Sequence, residues 1–517
     1  MAPGAHALRR KTAVRRHLAM VEERERNLRS LPSGALPPNR RPAALRSIRA
    51  GEVNRLNQHF KGSYVSLDED LKGNWGRIVA RARELALNES YMRRFLQMAD
   101  TNVIGRAGLQ LQSNAKQQDG EPDDKDQEML EAAWKRWAKR QFCDIRGKRT
   151  FKDIQSTFTR SFLRDGEGLI RIIKGAPNEY RFALQPMDPM LLDQNLSGQA
   201  PYGVSKNKIV MGVELDKWTR PVAYWILQPD RTSETIVLGG RHYLRLPADE
   251  IIHEFLMIER PDQNRGVPAG VAAVLRLEML QGAEEAELTA SRLSACKMGA
   301  YTSDGTTAYT GDGENEDGSL VEEAVPGMFL KLPAGVGLES FDPKHPNGSF
   351  VDFTKLMLMG AGASLGVSYP SFANDPTGTS YSTLRHFALE EREYWRALQD
   401  FVRDALCERV FGEWLKQALL TSKVNAPPRK FDKFMDVSWY GRGFPWIDPL
   451  KEQKSIESAI LNTQTKTRTE VLAEAGKDLE EHFQTLAREE RLAAKHGIQL
   501  NTLPPAKQTD PKEGEDE

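Results

Sequence analysis

Beyond Ser382 the chain carries almost forty residues whose apolar side chains recur at three- and four-residue steps, and no other stretch restricts the fold as strongly. Leu384, Phe387, Tyr394, Leu398, Phe401, Val402, Leu406, Val410, Trp414 and Ala418 keep that spacing, with Glu390, Glu391, Arg392, Arg396 and Arg403 between them. This is the pattern of one amphipathic helix. At 1.5 Å per residue, 382–420 spans roughly 58 Å, longer than a compact domain needs. A rod of that length bridges layers of a large assembly, or serves as the long helix of a multidomain enzyme. It is preceded by Asn374-Asp-Pro-Thr-Gly-Thr379, where a proline unsuited to a helix interior and a permissive glycine predict a loop that is uncharged after Asp375.

At 517 residues the chain is long enough for two to four domains. Lys plus Arg equals Asp plus Glu at 72 each, which excludes a nucleic-acid binder that wraps its target by global charge. The local distribution is uneven. Residues 1–50 hold twelve Lys and Arg against three glutamates, with Pro32, Pro37, Pro38 and Pro42 breaking any helix after about residue 30. Residues 301–345 reverse the balance with nine acidic side chains against Lys331 and Lys344. Cys143, Cys296 and Cys407 are far apart and form neither a disulfide framework nor a metal motif, which predicts a reducing compartment. No run approaches the ~18 apolar residues of a membrane span, and the N-terminus has no signal-peptide core, so no membrane contact is expected.

Along the chain, periodicity predicts a helix over 76–98, a turn at 102–106 into a short strand over 108–112, and a helix over about 125–141 with Leu130, Trp134 and Trp137 on one face. A third helix is marked by Phe151, Ile154, Phe158 and Phe162 and stopped by Gly166. Strands are predicted at 169–173, 180–184, 209–213, 223–227 and 251–255. Helices and strands are therefore segregated, and the fold class is α+β. From Pro268 to about Lys297 the pattern is helical and rich in alanine, as a subunit interface demands or as alanine's helix propensity alone produces. The acidic stretch follows, with a strand candidate at 327–332, before helical periodicity resumes over 351–359; the last stretch, 450–497, reads as charged helices.

Motifs for catalysis are few. The Gly-x-x-x-x-Gly-Lys-Ser/Thr loop of an ATP-driven motor is absent. Gly362-Ala-Ser-Leu-Gly366 matches the nucleophile elbow in letters, but that elbow needs a strand before the serine and a helix after it, and here a helix precedes Ser364 and a turn at Pro370 follows. His253-Glu254 lacks a second histidine one turn on, so it is not a zinc helix; His253 reads as an ordinary residue at a strand end.

Taken in order, several segments resemble the lambda-type bacteriophage portal protein, the head-tail connector of the capsid portal vertex. They are Asn102-Val-Ile-Gly105, Trp134 to Phe151, Gly166-Glu-Gly168, Arg260 to Gly266, Gly366-Val-Ser-Tyr369, Ser380-Tyr-Ser-Thr383, and Trp439 to Gly443 with Trp446 to Pro449. The resemblance implies a non-enzymatic ring of about twelve copies at one capsid vertex, through which double-stranded DNA is packaged and ejected. It implies no cofactor and no metal. It divides the chain into a basic arm (1–50), an α+β wing (51–267), a stem helix (268–300), an acidic clip (301–345), a second stem helix (346–370), a tunnel loop (371–382), the long helix with a return to the wing (383–450), crown helices (451–500) and an acidic tail (501–517). Asn374, Thr377, Gly378, Thr379, Ser380, Tyr381 and Ser382 then face DNA. Glu314, Glu316, Asp317, Glu322, Glu323, Glu339 and Asp342 form the docking surface for the terminase large subunit and the head-tail connector proteins. Major capsid and scaffold proteins are further implied partners, and the site of action is the virion, after assembly in the host cytoplasm. The alternatives are a virion-assembly hydrolase using Ser364, or a ring-forming connector with no packaging role.

Overall fold

The order of elements follows local capping chemistry. In this computed structural model the described residues are 65–228, 242–303, 336–340 and 349–444, except 118, 121, 258–259, 296–298, 426 and 428–429, together with 479–498 and scattered positions between 454 and 471. Met1–Tyr64 separates as a unit of its own outside them.

Ser66 caps helix α1 (Leu67–Leu71) by accepting from the Glu69 amide at 3.3 Å. Where periodicity predicts one helix over 76–98, there are two, α2 (Trp75–Asn88) and α3 (Ser90–Ala99). The break is Glu89, extended, whose carboxylate accepts from the amides of Tyr91 and Met92 at 2.9 and 2.6 Å. An N-cap embedded in a continuous apolar pattern leaves the periodicity intact, so the pattern alone misses it. α3 runs into a π-turn (Asp100–Ile104) before strand β1 (Gln110–Ser113).

Helices α4 (Asp124–Trp137), α5 (Arg140–Cys143) and α6 (Phe151–Arg164) come next, the last opened by a reciprocal capping box between Thr150 and Asp153. The β-rich segment holds β2 (Gly168–Lys174), β3 (Phe182–Met187), β4 (Lys208–Val210), β5 (Val213–Leu215), β6 (Pro221–Leu227), β7 (Tyr243–Pro247) and β8 (Ile251–Glu254). They form two antiparallel sheets, ordered β3-β2-β8 and β4-β5-β6-β7. Two strand expectations need correction. The single strand at 209–213 is a hairpin, because Met211 and Gly212 both take positive φ (48° and 88°) and turn the chain back. β3 begins only at Phe182, since Arg181 has φ 51°.

Helix α7 (Val274–Ala295) leads to β9 (Gly299–Ser303), which pairs antiparallel with β10 (Val336–Ser340) at the base of the acidic insert. The strand candidate at 327–332 lies outside the described residues. α8 (Phe350–Ser364) and the short α9 (Tyr369–Ala373) precede the long helix: α10 (Tyr381–Val402), a π-turn (Arg403–Glu408) and α11 (Arg409–Leu420), helical throughout as the periodicity of 382–420 predicts. After α12 (Phe431–Met435), strand β11 (Val437–Tyr440) returns to pair with β1, and α13 (Leu479–Lys495) is the last described element. The architecture is α+β, with helices and antiparallel strands segregated.

The main core sits where α4, α6, α11 and β11 meet. Trp134 is its centre, with Phe151, Phe411, Trp414 and Trp439 set edge-on at ring distances of 5.1, 5.6, 5.0 and 5.6 Å. Each such pair contributes roughly 0.5–1.5 kcal/mol beyond area burial. These contacts bind segments as far apart in sequence as Trp134 and Trp439 into one block.

Candidate functional site

The expected loop is ordered by its own polar groups. Of its span 371–382, the last two residues, Tyr381 and Ser382, belong to α10 and the first three to α9, where Pro370 sits in the first turn, the one helical position that suits it. Asn374 ends α9 in the left-handed conformation (φ 55°, ψ 37°). The Asp375 carboxylate accepts from the Tyr369 hydroxyl (2.9 Å), the Thr377 amide (3.0 Å) and the Thr377 hydroxyl. Those hydrogen bonds, led by the Thr377 side chain, hold the Asp375 carboxyl below the usual range, while burial and Asp375 push Tyr369 up to about 12. Thr379 Oγ1 donates to Pro376 O at 2.7 Å, and Ser380 Oγ caps α10 by accepting from the Thr383 amide at 3.2 Å. Thr377, Gly378, Ser380, Tyr381 and Ser382 are all exposed. The result is a surface of neutral hydroxyls over the positive end of a 22-residue helix, with its one carboxylate already occupied by donors.

The loop is tied to the long helix at its base. Glu391 on α10 accepts from the Ser368 amide (2.9 Å) and the Ser368 hydroxyl (2.5 Å). Just before it, Gly366 takes φ +73°, and the Val367 amide bonds Gly362 O at 3.0 Å, so the Gly-x-Ser-x-Gly string is a helix C-terminus. Ser364 is the last residue of α8 and its hydroxyl donates to Ala361 O at 2.8 Å. Among the described residues no histidine or carboxylate touches it, so an activated nucleophile has no basis in this geometry.

Two further motif pairs meet in space. Glu167 is fully buried and accepts from Arg265 Nη2 (2.6 Å), His253 Nε2 (3.1 Å) and the Gly266 amide (3.0 Å). Arg265 spends Nη1 on the carbonyls of Leu192 and Met211 and stacks its guanidinium 4.0 Å from the Trp75 ring centre. Burial would raise the Glu167 carboxyl, but Arg265 and His253 outweigh it and hold the group at about 2. A Cβ on Gly266 would stand 2.0 Å from Gly166 O, so only glycine lets the two motif strands meet. His253 is thus no ordinary strand end; it is one of the three charged or polar side chains that pin the two sheets together. Elsewhere, the π-turn at Asp100–Ile104 frees backbone carbonyls that other segments claim. Arg442 Nη1 donates to Thr101 O (2.9 Å) and Asn102 Oδ1 (2.7 Å), and Gln399 Nε2 donates to Asn102 O (2.8 Å). Sequence reasoning singled out all four strings without the contacts, and the only signal for them was a charged or amide side chain flanked by glycines.

Helices α7 and α8 pack on each other through Leu277, Leu280, Leu358 and Ala361, all buried. Their opposite sides are apolar as well: Leu275, Met279, Val351, Phe353, Leu356 and Met359 are exposed, Leu356 by 65% and Met279 by 62%.

Comparison with known proteins bears on all of this. The profile of the phage portal protein, lambda family, matches residues 54–399. A probable portal protein of Halomonas phage phiHAP-1 is 31% identical over 470 residues, 90% of either chain. The chain belongs to the lambda family of phage portal proteins. Portal protein B of Escherichia phage lambda is 24% identical over 482 residues, covering 83% of this chain and 86% of that one. Among solved structures, a chain from the virion of a native gene transfer agent particle shares 13% identity, covering 78% of this chain and 94% of that one with a TM-score of 0.45.

Most of the acidic insert lies outside the described residues: Glu314, Glu316, Asp317, Glu322, Glu323 and Asp342 are there, and only Glu339 is placed, on β10. Among the described residues no group of three or more His, Cys, Asp or Glu could hold a metal ion, and no helix is long and apolar enough to cross a membrane.

Proposed function

We propose that this portal protein closes with about eleven further copies into a ring at one capsid vertex, and that DNA passes along the ring axis during packaging and ejection. The observation that carries the reading is the doubled apolar surface of α7 and α8. A helix pair that buries one side internally and leaves six large apolar residues on the other gains roughly 1.5–3 kcal/mol for each side chain that a neighbouring copy covers. The hydroxyl-rich loop from Asn374 to Ser382 supports a passage for DNA: Ser and Thr hydroxyls contact phosphate oxygens without reading sequence, and an unpaired carboxylate is absent from its exposed surface.

On this reading the acidic insert docks the terminase large subunit during packaging and the head-tail connector proteins afterwards, and its negative charge keeps phosphate from binding tightly to the bore. Charge reversal at Glu314, Glu316, Asp317, Glu322 and Glu323 should abolish that docking while rings still form. The decisive experiment is the native mass of the purified full-length chain, with negative-stain images of the same sample. Rings with an axial hole are expected; a monomer or dimer at every salt concentration would overturn the reading. Deleting Thr377 to Ser380 should leave rings that fail to retain packaged DNA, and normal filling would remove the loop from the DNA path.

A further inference from the structure

Beside the Glu167 cluster, between β6, β8 and the turn 260–264, lies a cavity of ≈ 570 Å³ that the portal role does not use. Acceptors on Glu254, Gln263 and Tyr224 take no hydrogen bond from the described residues, and Arg409 is a cation in the same lining. Glu254 lies 3.9 Å from Arg409 but takes no hydrogen bond, because Arg409 Nη2 donates to the carbonyls of Ala248 (2.8 Å) and Ile251 (2.7 Å). Burial pushes the Glu254 carboxyl up, with His253 and Arg409 opposing. Gln263 Oε1 is buried and without a partner in a residue 4% exposed. The Tyr224 hydroxyl, in a residue also 4% exposed, makes no hydrogen bond. Unsatisfied buried polar atoms are rare, and Gln263 Oε1, beside the unbonded Glu254 carboxylate and Tyr224 hydroxyl, asks for a donor.

The walls narrow the choice of donor. Tyr224, His253 and Phe255 form a row of rings with centres 5.3 and 5.4 Å apart. Asp262 adds negative charge to the lining, while Asp249 there is already paired with Lys174 at 3.3 Å. The mouth is apolar: Met257 is 65% exposed, and so is most of Trp218, the neighbour of lining residue Thr219. A guanidinium has five donors and no acceptor, stacks on rings, and is favoured over an ammonium in desolvated sites. Exposed Trp and Met round a desolvated pocket are what a protein contact uses as anchors.

We propose that this cavity is a docking site for a different protein, which inserts an arginine side chain flanked by apolar residues between Tyr224 and Glu254. The arginine supplies the donors that Glu254, Tyr224 and Gln263 lack, and its apolar neighbours cover Trp218 and Met257.

The test uses the full-length assembled chain and N-acetyl-arginine N-methylamide as probe, read by saturation-transfer NMR, with the norleucine analogue as control. Saturation of the arginine side-chain protons is expected, weakened about tenfold by Glu254→Gln and less by Tyr224→Phe. The exposed Asp262→Asn change, which leaves the core untouched, should weaken it about threefold by lost attraction alone. Equal signals from the norleucine analogue, or no response to Glu254→Gln and Asp262→Asn, would overturn the proposal. Native mass of Glu254→Gln separates the remaining possibility: unchanged assembly is expected, whereas loss of assembly by a folded chain would give the cavity to a second copy and refute docking of a different protein.

Discussion

The block around Trp134 and the pair α7–α8 are both rich in large apolar side chains, yet they end differently. In the block Trp134, Trp137, Phe411 and Trp414 are at most 5% exposed, and each ring meets others of the same chain. In the pair, buried Leu277 and Leu358 share their helices with exposed Leu275 and Leu356. One region is finished by folding; the other, on the proposed ring, is finished by a second molecule. Stability and assembly therefore reside in separate places and should respond to separate changes.

The sharpest way to break that contrast is Leu275→Asp with Leu356→Asp. Complete loss of rings is expected, with the melting temperature of the dissociated chain unchanged within error; a folded chain that still assembles would put the interface elsewhere. Trp134→Ala should do the reverse, costing about 4 kcal/mol in denaturant unfolding by opening a cavity among five aromatic neighbours. Glu167→Gln should cost about 3 kcal/mol, since Arg265 is left buried without its counter-charge. The same group sets an acid limit. Its folded pKa, about 2, lies below the unfolded carboxylate value near 4.3, so its contribution is complete above that value and is lost as pH falls towards 2. Glu167→Gln should flatten the fall in stability measured between pH 4.5 and 2. Smallest of all, Ser364→Ala should change stability by less than about 0.5–1 kcal/mol and leave assembly intact, because the hydroxyl bonds only a helix-end carbonyl.

What was legible in the sequence was whatever one segment decides for itself. The long helix was read to within a residue at either end, because Ser380 caps it and its apolar face persists for ten turns. The break at Glu89 and the hairpin at Met211 were not, since a carboxylate that folds back onto its own amides, or a methionine at positive φ, leaves the hydrophobic pattern unchanged. Pro370 reads as a breaker in the sequence and starts a helix in the structure, which removes Ser371, Phe372 and Ala373 from the loop. The hydroxyl character of Thr377 to Ser382 could be read directly, but the occupation of Asp375 by Tyr369 and Thr377 could not. Contacts between distant charges were the least accessible. Glu167 and Arg265 are 98 positions apart, and nothing in either string names the other.

The winding of the long helix has a consequence for how such chains vary. Val402 and Cys407 both reach the core although five positions separate them, because the π-turn at Arg403–Glu408 accommodates one residue more than an α-turn. On either side the ordinary steps of three and four resume, from Trp395 to Leu398 and from Phe411 to Trp414. A homologue lacking one residue in this interval would wind as plain α-helix and keep both flanks on the same side, so a single-position alignment gap there marks a change of pitch with the architecture conserved. The segment is thus a place where the chain can gain or lose a residue without turning the Tyr381 end relative to the core around Trp414.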